Sequence, residues 1–234
     1  MMDRHREAAA NSIALWWVAL AAALIPLVTT HTTYLVSALE GHVSWCIPYW
    51  DSCTSISRTG RQGTSYFIFK GAMIPAAVAG ALFWLLNGRW LRQLGAQGAS
   101  VAWLTWLGFG ACVGLVIYTL VLGHIGETYF AIRRVGVILY FSLTYIAQLL
   151  ISSRLRSIAH WYPQGQRLLW LCELTLAIGI LSVILQGVVP ALYDDIENAF
   201  EWTFALLINL HALWVAVLWR RSDFRARLWL VSRP

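Results

Sequence analysis

SIALWWVALAAALIPLVTTHTTYLVSAL, residues 12–39, runs from end to end without a charged side chain, and its reading decides the class of the fold. A helix rises about 1.5 Å per residue, so about 20 apolar residues cross the roughly 30 Å hydrocarbon core of a bilayer. The run is too long for the apolar region of a signal peptide, and no small-residue cleavage site follows it. It is therefore expected to stay as a membrane helix.

Five more apolar stretches follow, giving expected spans at about 12–38, 66–86, 99–122, 135–153, 168–189 and 199–219. Turn or charge signals separate them: Asn87-Gly88-Arg89, Gln97-Gly98, Arg154 to Gln166, and Pro190 to Asn198. Composition agrees, with 59% hydrophobic and 12% charged residues against roughly a quarter charged in soluble domains. No internal repeat and no connection long enough for a second domain is found. The expected fold class is all-α: a polytopic membrane protein forming one six-helix bundle over 1–234.

The net charge of +6 does not point to nucleic acid, because the basic residues lie between apolar segments. There they set orientation. With the N-terminus cytoplasmic, twelve fall inside (Arg4, Arg6, Arg89, Arg92, Arg154, Arg156, Arg167, Arg220, Arg221, Arg225, Arg227, Arg233) and five outside (Arg58, Arg61, Lys70, Arg133, Arg134). Both termini are expected in the cytoplasm, in a cell membrane (the plasma membrane, or the inner membrane of a bacterium). Glu40, Asp51, Glu127, Asp194, Asp195, Glu197 and Glu201 then gather at the outer boundary, either as solvated loops or as a polar site.

Residues 40–65 form the first outer connection. Cys46 and Cys53 lie there, in an oxidising space under this topology, and are expected to pair. An inverted topology would leave two free thiols. Cys112 and Cys172 fall inside spans and read as small apolar packing residues. Hydroxyl residues along Thr54 to Thr59 can satisfy backbone groups locally, and Thr64 or Ser65 is a natural N-cap for the second span. The connection reads as an ordered lid over the outer mouth of the bundle.

Within it, Ile56, Ser57, Thr59 and Gly60, followed by Phe69, stand in the register Pro-x-Ile-Ser-x-x-Gly-x-x-x-Pro ahead of an apolar helix. This resembles the damage-regulated autophagy modulator (DRAM) family, a group of six-span proteins that includes the FGF-receptor-activating protein and the Golgi factors that remodel GPI-anchor lipids. Tyr145 to Ser152, Gly110 to Gly114, and Glu201-Trp202 with Asn209, His211 and Asp223-Phe224 look like the corresponding helices of that family. Thr54 and Thr64 replace both prolines, Arg58 stands where an Asp is frequent, and Arg133-Arg134 occupies a region where a histidine is common. The resemblance implies lipid handling at the non-cytoplasmic face, with membrane lipids as partners.

Ionisable groups at membrane depth are costly, so each is a functional candidate. His31, His124, Glu127, Arg133, Arg134, Glu201, Asn209 and His211 are the expected headgroup-binding set. His124 and Glu127 share a helical face if the third span persists through them. An enzyme reading would make His124/Glu127 or His211/Glu201 an acid–base pair on a lipid, and a metal enters only there. No H-E-x-x-H and no serine nucleophile elbow is present. No cofactor is expected, and a third reading is a structural subunit of a larger complex. Protein partners and oligomeric state stay open.

The remaining signals are architectural. Glu173 is expected to pair with Arg154, Arg156 or Arg167. Arg133 and Arg134 would clamp the acidic 194–197 loop or bind phosphate. Ala72, Ala76, Gly80, Gly110 and Gly114 form small-residue stripes for close helix contact. Trp16, Trp17, Trp45, Trp50, Trp90, Trp161, Trp202 and Trp219 read as interfacial belts, and the basic amphipathic tail 220–234 reads as lying on an anionic inner leaflet.

Overall fold

The computed structural model describes residues 12–227. Six long helices dominate: α1 (Trp16–Leu39), α4 (Gly63–Gln93), α5 (Ala99–Val121), α6 (Glu127–Arg156), α7 (Tyr162–Val188) and α8 (Pro190–Arg221). Each is long and apolar enough to cross a membrane, which fits a multi-pass membrane protein. Two one-turn helices, α2 (Pro48–Asp51) and α3 (Ile56–Thr59), fold the first connection.

The helices pack in chain order around a closed circuit, each against the next, with α8 returning to α1. Residues 12–14 and 225–227, the two ends of the described chain, meet at one pole, hereafter the terminal end. The opposite pole carries α2 and α3 and is the loop end. At the terminal end β1 (Ser12–Ala14) pairs antiparallel with β2 (Arg225–Arg227), in the register Ile13 opposite Ala226. Leu15 N–H extends the ladder to the Phe224 carbonyl at 3.0 Å. Residues 12–14 therefore precede the first span rather than opening it. Within the expected amphipathic tail, residues 225–227 form a strand, because cations alternating with apolar residues have a strand's period. Arg4, Arg6, Arg233 and the tail beyond 227 lie outside the described residues.

Three helices are longer than expected at their loop ends. α4 starts at Gly63, not near 66, and Gln62 rather than Thr64 or Ser65 occupies the N-cap. Its first turn is capped from another segment, by the Glu40 carboxylate accepting from Thr64 N–H at 3.1 Å. α6 starts at Glu127, so Arg133 and Arg134 ride on a helix. α8 starts at Pro190, where proline's missing N–H has no helical acceptor to lose. Asp194, Asp195 and Glu197 are thus helical and exposed, and no ion pair joins them to Arg133 or Arg134 among the described residues. Glu173 is likewise exposed and unpaired with Arg154, Arg156 or Arg167.

α5 and α6 approach closely through facing glycines. A Cβ on Gly114 would come within 3.0 Å of the Gly136 carbonyl oxygen, and one on Gly136 within 2.9 Å of the Gly114 oxygen. Farther along, Gln148 Nε2 donates to the Ile208 carbonyl at 2.9 Å, Ser152 Oγ meets His211 Nε2 at 3.0 Å, and Tyr145 donates to the Cys172 carbonyl at 3.2 Å. These bonds bind α6 to α7 and α8, and they come from the Tyr145–Ser152 stretch.

The tryptophan belt is corrected in part. Trp17, Trp45 and Trp50 are exposed as a belt requires, but Trp90, Trp202 and Trp219 are fully buried. Trp90 donates to Ser222 Oγ at 3.0 Å and Trp219 packs on Phe224 with centroids 5.0 Å apart. They are core residues of the two poles.

Candidate functional site

The lid is built on the Cys46–Cys53 disulfide, which closes the α2 turn. Tyr34 pins one side: its hydroxyl accepts from Cys46 N–H and donates to the Cys46 carbonyl, both at 2.7 Å. On the other side Ser52 Oγ accepts from the N–H groups of Asn198 and Ala199, and Trp202 Nε1 donates to the Thr54 carbonyl at 2.9 Å. Tyr49 reaches His31 Nε2 at 3.0 Å, and burial pushes the Tyr49 phenol above its ordinary pKa. Replacing Cys46 and Cys53 by serine removes a constraint on a short loop and is expected to cost roughly 2–3 kcal/mol. Thermal melts of wild type with and without reductant check this; identical melts would mean that the side-chain pins alone seat the lid.

The second half of the lid explains the motif residues one by one. Ser55 caps α3 by accepting from Arg58 N–H at 3.1 Å. Thr59 Oγ1 lies 3.2 Å from Thr33 Oγ1 on α1. Ile56 is buried, and a Cβ on Gly60 would strike the Phe69 ring at 2.7 Å. Gly63 has φ +60 and lies against the Glu40 carboxylate, leaving no room for a side chain. Thr64, followed by His42, holds the Glu40 carboxyl below its usual range. The N–H groups of Ser57 and Ile56 face the Glu201 carboxylate, which completes the contact between α3 and α8.

Two grooves open at the loop end, each of about 700 Å³. One, about 720 Å³, is lined by Glu40, His42, Gly63, Thr64 and Tyr66. The other, about 750 Å³, is lined by Glu127, Phe130 and Arg133. Arg61, Gln62, Gly123 and His124 border both. Arg61 is the pivot. Its Nη2 donates to Ser57 Oγ at 2.8 Å, while its Nε is buried with no partner among the described residues. Burial, then the neighbouring charge of Arg133, lowers its pKa, and neither guanidinium has a carboxylate within ion-pair distance among the described residues.

Beneath the lid lies a separate interior cavity lined by Pro26, Thr30, Tyr118, Tyr140, Glu201 and Asn209. At about 40 Å³ it has room for a few waters and none for a headgroup. Tyr118 Oη is buried there without a partner among the described residues. Arg61 feels both Glu201 and Tyr118, so it stands between this cavity and the grooves.

The expected set is therefore divided. His124, Glu127 and Arg133 share the outer groove, and Arg134 is exposed beside it. Glu201 and Asn209 face the interior cavity. His31 belongs to the lid contact. His211 is buried against Ser152 and lies ten residues, about 15 Å along the helix axis, from Glu201. The three histidines do not converge, and His211 and Glu201 form no acid–base pair. Nor do His124 and Glu127 share a helical face: α5 ends at Val121, and Gly123 and Gly126, at φ +86 and +126, turn the chain between them. His124 packs against Tyr129 instead. Among the described residues no three His, Cys, Asp or Glu side chains form a metal-binding group.

Arg61 was missing from the expected set, as was Tyr118. Arg61 sits in the connection that reads as a lid, but no local pattern there marks which side chains the fold buries. No family model matches the chain, and no curated protein or solved structure matches it.

Proposed function

We propose that this chain is a multi-pass membrane protein that recognises an anionic lipid headgroup at the non-cytoplasmic face, in the groove between the lid and α6. Arg61 and Arg133 hold the phosphate, and His124 and Gln62 supply further hydrogen bonds at its rim. The observation that carries the reading is the pair of like-charged guanidinium groups bordering one groove, one with a buried, unpartnered N–H and neither paired with a carboxylate. Guanidinium groups bind phosphate through paired hydrogen bonds, and a bound anion would remove the repulsion between them.

Topology supports the same face. The excess of arginine at the terminal end favours placing it in the cytoplasm, and the disulfide suits the oxidising side. Similarity of Ile56, Ser57, Thr59, Gly60 and Phe69 to the DRAM family motif adds weight, because each of those residues seats the lid beside Arg61. The reading is lipid recognition, with no step of chemistry assigned.

Native mass spectrometry with lipid identification on gently purified protein tests it. Wild type is expected to retain anionic lipid above its bulk proportion, and Arg61→Ala with Arg133→Ala to lose that excess roughly tenfold or more. Lipid retained at bulk ratios by both proteins would sink the proposal.

A further inference from the structure

A third groove lies at the opposite pole, between α7 and α8. It has a volume of about 670 Å³ and is lined by Arg167, Trp170, Leu171 and Leu174 from α7 and by Leu210, Leu213, Trp214, Val217 and Arg221 from α8. On each helix these residues recur at three- and four-residue steps, so each wall is one continuous helical stripe. Both arginines stand at the terminal end, and every other lining side chain is apolar or indole. Measured along α8, Leu210 lies about 16 Å from Arg221, which is the depth of one leaflet's hydrocarbon layer.

The cations at its mouth are available. Arg156 and Arg220, at the same pole, lie over the rings of Tyr162 and Trp16. Among the described residues, Arg167 and Arg221 have no such ring and meet no carboxylate. Among the described residues no carboxylate lines the groove. α7 is also the least enclosed of the six long helices, with 17% of its apolar window buried.

We infer that this groove seats one anionic phospholipid of the leaflet at the terminal end. The phosphate lies between Arg167 and Arg221, and an acyl chain runs along Leu174, Leu210 and Val217. Charge at one end and a leaflet-deep apolar wall behind it match that amphiphile. A partner helix, which is apolar along its whole length, leaves the two cations unanswered. The inference requires the helices to span a bilayer but is independent of the loop-end site.

The full chain is reconstituted in vesicles carrying either photoreactive phosphatidylglycerol or photoreactive phosphatidylcholine, and labelled peptides are mapped. Phosphatidylglycerol is expected to label residues 167–174 and 210–221 in preference to phosphatidylcholine. Arg167→Ala with Arg221→Ala is expected to cut that labelling roughly 25-fold, about fivefold for each guanidinium. Arg89→Ala with Arg92→Ala, which removes two exposed cations from the same pole, is expected to leave it unchanged. Val217→Trp, which fills the groove without changing charge, should also reduce it. Equal labelling by both lipids, equal loss in the two arginine pairs, or crosslinks to a second copy in place of lipid would each overturn the assignment.

Discussion

Trp202→Ala is expected to release the lid from the bundle and to lower stability by about 3–5 kcal/mol. Trp202 is 1% exposed at the loop end of α8, and three rings meet it: His31, Tyr34 and Tyr49 at centroid distances of 5.5, 6.0 and 5.6 Å. Its indole N–H also satisfies the Thr54 carbonyl. Truncation removes the ring around which the lid closes and leaves that carbonyl without its donor. Trp202→Phe separates the two effects, since it keeps most of the packing and loses only the bond, at about 1 kcal/mol. Hydrogen exchange is the decisive readout. Amides of residues 46–59 should gain exchange in the alanine variant, while those of the α6–α8 contact at the other pole stay protected. Wild-type melting with unchanged exchange over 46–59 would show that the disulfide, Ser52 and Tyr34 hold the lid without it.

Because the lid carries Arg61, the same variant connects packing to recognition. Arg61 is placed by Ser57, and Ser57 by α3, whose N-terminal amides face Glu201 one residue before Trp202. Loosening α3 lets Arg61 move away from Arg133, so lipid retention should fall even though neither cation is altered.

Much of the fold was legible from residue types alone. Long uncharged runs gave all six long helices, because a bilayer demands length and apolarity and little else. Helix ends at the loop pole were legible only in part. Pro190 marks a helix start by its missing donor, yet the acidic residues after it read as a solvated loop. The cap of α4 comes from Glu40, a residue distant in sequence, and no local pattern shows it. The His124/Glu127 reading assumed helical continuity, and Gly123 and Gly126 were the signal against it.

Burial was the least legible property. A tryptophan near a span end serves equally as an interfacial anchor or as the core of a pole, and Trp17 and Trp202 illustrate the two fates. The candidate site shares this difficulty. Arg133 stands out in sequence because paired cations, Arg133-Arg134, stand at the outer boundary where the acidic 194–197 stretch also falls. Arg61 was missed because its burial comes from the fold of the lid, not from its neighbours in sequence.

Gly114→Leu is expected to abolish the native pairing of α5 and α6, at a cost of about 3 kcal/mol or more. A Cβ at 114 would come within 3.0 Å of the Gly136 carbonyl oxygen, the Leu139 Cβ and the Tyr140 backbone N–H nitrogen. Two of those three atoms are backbone, which no rotamer change can move aside. The helices would have to separate, and in a bilayer little but packing holds helices together, since lipid tails are as apolar as leucine. Gly136→Leu meets the mirror-image obstacle at the Gly114 carbonyl and should behave alike. Gly71, around which a Cβ meets nothing within 4 Å, provides the control: Gly71→Leu should melt as wild type does. The interior cavity makes the effect visible away from the mutation. Tyr118 and Tyr140, one from each helix, line it beside the contact, so separating α5 from α6 opens it to lipid or water. Monodispersity in mild detergent and the melting midpoint measure the loss. If both leucine variants purify and melt like Gly71→Leu, the close approach of α5 to α6 does not hold the bundle together.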